Sequence, residues 1–235
     1  MRSTAVKIAG SVALVTGANR GFGRALAAEL LARGATVYAG ARRPESVDLP
    51  GAIAIALDVT DPASIAAAAR TIEGLTLLVN NAGSPPAADL LTDDFEAIRA
   101  EFDTHFYGTL AVTRAFAPQI AANGGGSILN VLSVLSWISF PNYGAYCAAK
   151  SAAWSMTNAV RQQLAPQGVR VAGLHVGCMD TDMVSDVTAP KTPPAQAARI
   201  AVDGLEADSP EILIDDLSRQ VQAGLAGGVA ALYTG

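Results

Sequence analysis

The sequence predicts an α/β fold: one doubly wound parallel sheet of about seven strands with helices on both faces. Two observations predict it. Short apolar runs alternate along the chain with longer amphipathic segments, the pattern left by repeated right-handed βαβ crossovers. The first apolar run, "VALVT" at 12–16, also leads through a glycine-rich turn straight into an amphipathic helix pattern.

The elements follow in order. After 12–16, "FGRALAAELLARG" (22–34) reads as a helix, and "TVYAG" (36–40) and "AIAIAL" (52–57) read as strands. "DPASIAAAARTIE" (61–73) has an Asp to cap a helix and a Pro at its first turn. "LTLLVN" (75–80), "GSILNVLS" (126–133), "VRVAGLHV" (169–176) and "EILIDD" (211–216) complete the strands. Long helical patterns occupy 92–123 and 143–165. With no internal repeat and no linker, residues 1–235 read as a single domain. "APKTPPA" (189–195) is the one proline-rich break, and it places a mobile substrate lid at about 181–200.

At 51% hydrophobic and 16% charged residues, the composition is that of a globular chain with a large core. A net charge of −5 argues against nucleic acid as a partner. Cys147 and Cys178 make no disulfide framework, which points to a reducing, cytoplasmic setting and to small packing roles for both. Arg2 and Lys7 before "IAGSVALV" imitate a signal peptide, but a buried strand explains that run better. No stretch approaches the ~20 apolar residues of a membrane span. His175 reads as a core or strand-end histidine, and no cluster has metal-ligand spacing, so no metal is expected.

The glycine turn, "TGANRGFG", carries the first chemistry. Gly17, Gly21 and Gly23 permit positive φ and close backbone approach. The helix that follows offers free N–H groups and a partial positive charge to a pyrophosphate. Three further features come in sequence: "NNAG" (80–83), Ser133 at a strand end, and "YCAAK" (146–150), which sets Tyr146 and Lys150 one helical turn apart. A tyrosine ordinarily ionises near pH ~10, so proton transfer near neutrality asks for up to ~4 kcal/mol of help. A charge ~4 Å away contributes ~1 kcal/mol in water but ~4 kcal/mol at an effective dielectric of ~20. The pair therefore works only where it is sheltered from water.

Together these motifs, spread over roughly residues 10 to 185, resemble the short-chain dehydrogenase/reductase family. The resemblance implies a Rossmann-like fold and hydride transfer between a nicotinamide and a ketone, aldehyde or secondary alcohol. It implies that Ser133, Tyr146 and Lys150 are catalytic, with Lys150 also reaching the nicotinamide ribose. The cofactor would meet Gly17, Asn19, Arg20, Gly21, Phe22 and Gly23 at the turn, and Asn81, Ala82 and Gly83 after the fourth strand. Asp58 would meet the adenine beside Val59, strand-end capping being its alternative, and Gly177 and Thr181 would meet the nicotinamide end. Where a carboxylate at the end of the second strand would select NAD, this chain has "VYAGARRP". Arg42, with Arg20 from the glycine turn, suits a 2′-phosphate, so the expected cofactor is NADP(H).

Two positions depart from the family pattern. His105 stands where the family has an Asn that helps a proton relay. A neutral imidazole could serve there or merely fill space, and a charged one would oppose Lys150, so early loss of activity on acidification is expected. Val176-Gly177 replaces Pro-Gly, which should loosen the loop beneath the nicotinamide. Pro85, Trp137, Tyr143 and Met183 are the expected substrate-pocket residues, with Ile138 and Phe140 nearby, and their apolar character suits an apolar carbonyl or alcohol substrate. Small residues in "AAKSAAWS", with Trp154 as an anchor, fit the family's homodimer or homotetramer. A catalytically impaired NADP-binding sensor or regulator is the alternative function. A sugar-nucleotide epimerase would need an added substrate domain for which 235 residues leave no room.

Overall fold

The computed structural model describes residues 7–86, 88–184, 188 and 190–233. Seven parallel strands form one sheet in the order β3-β2-β1-β4-β5-β6-β7. They are β1 (Val12–Thr16), β2 (Thr36–Ala41), β3 (Ile53–Ala56), β4 (Leu77–Asn80), β5 (Gly126–Val131), β6 (Val169–His175) and β7 (Glu211–Leu213). The helices are α1 (Gly21–Ala32), α2 (Pro62–Thr71), α3 (Phe95–Phe102), α4 (Thr109–Ala122), α5 (Gly144–Leu164), α6 (Pro194–Glu206), α7 (Asp216–Gly224) and a single turn, α8 (Val229–Leu232). The order reverses between β1 and β4, and in such sheets ligands bind outside the carboxyl ends of the strands at that point.

The central strands are apolar on both faces because each face is covered by helices. On one face Val15, Val37, Val79 and Leu174 pack with Leu26 and Leu30 of α1 and with Ala198, Val202 and Leu205 of α6. On the other, Leu14, Leu78, Ile128 and Val171 pack with Ile65 of α2, Phe116 of α4 and Met156 of α5. Arg33 ties α1 to α6, with its guanidinium 2.8 Å from Glu29, 2.7 Å from Asp203 and 2.7 Å from Glu206.

Three segments differ from the expected elements. Residues 194–200, expected within the lid, begin α6, since Ala197, Ala198, Ala201, Val202 and Leu205 recur at helical spacing and are buried. Residues 185–187 and 189 of that lid lie outside the described residues. β7 stops at Leu213, and Asp215 caps α7, its carboxylate accepting from the Ser218 backbone N–H at 2.8 Å. The long helical pattern 92–123 is broken by a π-helical turn, Asp103–Gly108, between α3 and α4.

A buried polar chain fastens α5 to the sheet. Asn80 Nδ2 donates to Thr113 Oγ1 at 3.0 Å and to Asn130 Oδ1 at 2.8 Å. Asn130 Nδ2 donates to Thr157 Oγ1 at 2.9 Å, and that hydroxyl donates to the Ala153 carbonyl at 2.7 Å. Removing the middle member strands a buried donor on Asn80 and a buried acceptor on Thr157. Asn130→Ala is therefore expected to cost about 2–3 kcal/mol in urea denaturation; a loss under about 0.5 kcal/mol contradicts this role.

Candidate active site

The β1 and β4 strand ends are stitched together by Thr16 and Asn81. Thr16 Oγ1 accepts from the backbone N–H of Asn81 and of Ala82, each at 2.9 Å. Asn81 Nδ2 donates to the carbonyls of Thr16 at 3.0 Å and Gly17 at 3.2 Å. Gly17 and Gly21 have φ of +66° and +54°, which other residues rarely adopt. A Cβ on Gly23 would run into the Gly17 carbonyl. Arg20, at the N-cap of α1, gives no side-chain cap, so the first-turn N–H groups keep their capacity for an anion. These residues fit a dinucleotide pyrophosphate.

Beyond the cradle lies the expected catalytic set. Ser133 follows β5 and starts a short 3₁₀ turn, its Oγ accepting from the Leu135 N–H at 3.1 Å. Tyr146 and Lys150 are buried in the first two turns of α5. Lys150 Nζ donates to the Val131 carbonyl at 2.9 Å and lies 5.6 Å from the centre of the Tyr146 ring. Burial raises the phenol's pKa, and Glu101 and Cys147 add to the rise, while a hydrogen bond with Ser133 lowers it. Burial pushes the Lys150 ammonium down to about 8, against the charge of Glu101. In the protein by itself, burial governs both groups, whereas the expectation of an acidic phenol beside Lys150 concerns the pair sheltered from water with nucleotide bound.

His105 joins this set. The π-helical turn places its ring edge-on to Tyr146, with centroids 4.9 Å apart at 82°. Nε2 lies 3.3 Å from Ser84 Oγ and 3.3 Å from Glu101 Oε2. A Cβ on Gly83 would come within 2.8 Å of the imidazole Cε1, so glycine there makes room for the ring. Burial, with the Lys150 charge second, pushes His105 down to about 4 despite Glu101. Burial thus favours the neutral imidazole in the protein by itself, which weighs against the early loss of activity expected on acidification.

A family model described as short chain dehydrogenase matches residues 11–192. The chain belongs to the short-chain dehydrogenase/reductase family. A short chain dehydrogenase from Burkholderia cenocepacia J2315, solved in complex with NADP, is 38% identical, with a TM-score of 0.92 over 97% of this chain and 98% of that one. The NADPH-dependent 1-acyldihydroxyacetone phosphate reductase of Schizosaccharomyces pombe is 34% identical over 181 residues, 73% of this chain and 61% of its own length. The D-erythrulose reductase of Gallus gallus is 34% identical over 180 residues, 74% of this chain and 73% of its own.

The remaining expected positions of this short-chain dehydrogenase fall as follows. Asn19 is half-buried and Arg20 and Arg42 are exposed, while the Phe22 side chain belongs to the core and leaves only its backbone to the turn. Asp58 caps its strand end: Oδ1 accepts from Thr60 N at 2.9 Å and Thr60 Oγ1 at 2.7 Å. The Thr60 backbone bond chiefly, with the Thr60 hydroxyl and Arg42 adding, holds that carboxyl low. Val59 packs on the π-helical turn at Gly108, and Thr181 faces Gly21, whose added Cβ would lie 3.5 Å from the Thr181 methyl. The loop expected to be loose after Val176 is tied instead, since the Gly177 N–H donates to Asp215 Oδ2 at 2.7 Å.

Pro85, Tyr143 and Met183 are exposed, as is Phe140. Trp137 is not on that rim. It is buried, stacked on His175 with centroids 3.6 Å apart and edge-on to Trp154. Trp154 is used within the chain, its Nε1 donating to Glu211 Oε1 at 2.9 Å. His175 is a core histidine, as expected, its Nδ1 3.1 Å from Ser136 Oγ. Cys147 is buried, and burial raises the half-buried Cys178 thiol, so both fit packing roles. Among the described residues no group of His, Cys, Asp or Glu could hold a metal, and no helix is long and apolar enough to cross a membrane. Sequence reasoning missed Glu101, although an acid four residues before His105 on an amphipathic helix was a readable signal.

Two outcomes follow. Gly83→Ala should displace His105 and lower kcat about tenfold while the protein stays folded, checked by steady-state kinetics and circular dichroism; an unchanged kcat contradicts the packing. Because the pKa of His105 is depressed in the fold, the unfolded chain binds the extra proton first, and stability is lost as pH falls from about 6.5 toward 4. Urea denaturation of His105→Asn should show a shallower loss across that window than the parent.

Proposed function

We propose that this dehydrogenase uses NADP(H) to interconvert an apolar ketone or aldehyde with its alcohol. The observation that carries the reading is the burial of Ser133, Tyr146 and Lys150 together beside an intact glycine cradle. The nicotinamide, when bound, supplies or accepts the hydride. In the reduction direction, the Tyr146 hydroxyl gives its proton to the substrate oxygen and Ser133 donates a hydrogen bond to that oxygen. Lys150, anchored on the Val131 carbonyl, stabilises the phenolate that remains. The intact set favours an enzyme over the nucleotide-sensing alternative.

NADP(H) is supported by the absence of a carboxylate at the end of β2, by the exposed Arg20 and Arg42, and by the similarity to a structure holding NADP. A carbonyl substrate with apolar groups is supported by the exposed Phe140, Tyr143 and Met183 and by the reductase names of the relatives. Assembly as a homodimer or homotetramer belongs to the same reading, supported by the exposed Tyr107 and the half-buried Leu110 and Ala111 at the groove between α2 and the start of α4.

The direct test is NADPH oxidation across a panel of ketones and aldehydes. Tyr146→Phe should lower kcat at least about 100-fold while nucleotide still binds. Arg42→Ala should lower the NADPH-to-NADH ratio of kcat/KM by about tenfold, one charge-assisted bond's worth. An unchanged ratio contradicts the cofactor assignment, and nucleotide binding without turnover of any carbonyl contradicts the enzyme.

A further inference from the structure

A buried carboxylate is costly in a fold unless something compensates it. Glu101 is only 3% exposed, in the last turn of α3, where that helix packs on α5. An apolar side chain would fill that position at no electrostatic cost. Glu101 instead sets Oε2 3.3 Å from Nε2 of His105, one helical turn on, whose side chain is 2% exposed. An ionised carboxylate can only accept a hydrogen bond. Two lone pairs facing each other at that distance in a dry site would repel, which favours a hydrogen on Nε2, and Ser84 Oγ at 3.3 Å can accept from it. Nδ1 is then an acceptor, buried and without a hydrogen-bond partner among the described residues, on the side facing Gly83.

We propose that Glu101 is a positioning residue for the reaction at Tyr146 and Lys150. It holds His105 as the Nε2–H tautomer, edge-on to Tyr146 with Nδ1 left as an acceptor beside Gly83, and it opposes the Lys150 ammonium with a buried negative charge. The titratable groups of this cluster are Tyr146, Cys147 and Lys150 from α5 and Glu101 and His105 from the α3–π-helical segment, while Ser84 faces it from the loop after β4. The Glu101 charge favours the protonated forms of both Lys150 and Tyr146, which are the forms carbonyl reduction starts from. Removing it therefore moves the alkaline fall in activity to lower pH.

The catalytic consequence rests on the proposed function, whereas the tautomer does not, so the two are tested separately. The chain has two histidines, and comparing ¹⁵N-histidine spectra of the parent and His105→Asn assigns both. The parent should show His105 as one neutral Nε2–H tautomer from pH 5.5 to 8.5 (a chosen window, about the working range), and Glu101→Leu should show both tautomers. An Nδ1–H tautomer in the parent, or a spectrum untouched by Glu101→Leu, overturns the proposal. In NADPH-dependent reduction, Glu101→Gln should shift the alkaline limb of kcat/KM down by about one pH unit, and its effect on kcat should shrink in the His105→Asn background. An unshifted limb overturns the electrostatic role. Should the Glu101 variants fail to fold, the parent's tautomer alone still decides, and Glu101→Asp, which keeps the charge, should keep the limb in place.

Discussion

The rest of this structure depends on a desolvated pair, the Tyr146 phenol and the Lys150 ammonium, held on adjacent turns of one helix. Burial disfavours the charged form of each: it raises the phenol and brings the lysine down to about 8. Proton transfer needs the opposite tendency, a phenol that ionises readily beside a lysine that stays charged. The same low dielectric that causes the difficulty also strengthens every interaction available to relieve it. The protein's own share of that relief is the Ser133 hydrogen bond for the phenol, and the Val131 carbonyl and the Glu101 carboxylate for the lysine, although Glu101 also raises the phenol.

The fold delivers this pair through packing on both sides. Apolar strands buried between two helical layers fix the sheet, and the Asn80–Asn130–Thr157 chain holds α5 against it. From the opposite side, the α3–α4 segment brings His105 against the Tyr146 ring. A regular α-helix would carry the residues after Phe102 around the axis at a different angle, and the π-helical turn changes that angle at the residues that need it. Gly83 and Gly108 then allow the neighbouring backbone to close in. Cradle and proposed catalytic set share one seam, since Asn81 joins the ends of β1 and β4 while Asn80, one residue earlier, belongs to the chain that fixes α5.

What could be read from the sequence followed from periodicity and from residues whose chemistry is local. "VALVT" became β1 without change, and the glycine turn opened a helix, because both signals lie within a few residues of each other. Tyr146 and Lys150 were legible because helical spacing alone places them together. Trp137 was misplaced because its partners, His175 and Trp154, are distant in sequence and only the folded sheet brings them together. α6 was hidden by its leading prolines, although its alanines and Leu205 carry a helical stripe. The looseness expected after Val176 took no account of Asp215, 38 residues beyond Gly177, whose carboxylate accepts from the Gly177 N–H. Glu101 went unnoticed because an acid on an amphipathic helix normally faces water.

The central claim is that a phenol made less acidic by burial becomes a usable proton donor and acceptor only when a bound nucleotide completes its surroundings. An ultraviolet titration of the parent against Tyr146→Phe isolates this one phenol among five tyrosines. Without nucleotide, Tyr146 should ionise above free tyrosine; with saturating NADP⁺, its ionisation should fall well below that of free tyrosine. A Tyr146 that ionises no more readily than free tyrosine with NADP⁺ bound contradicts the account.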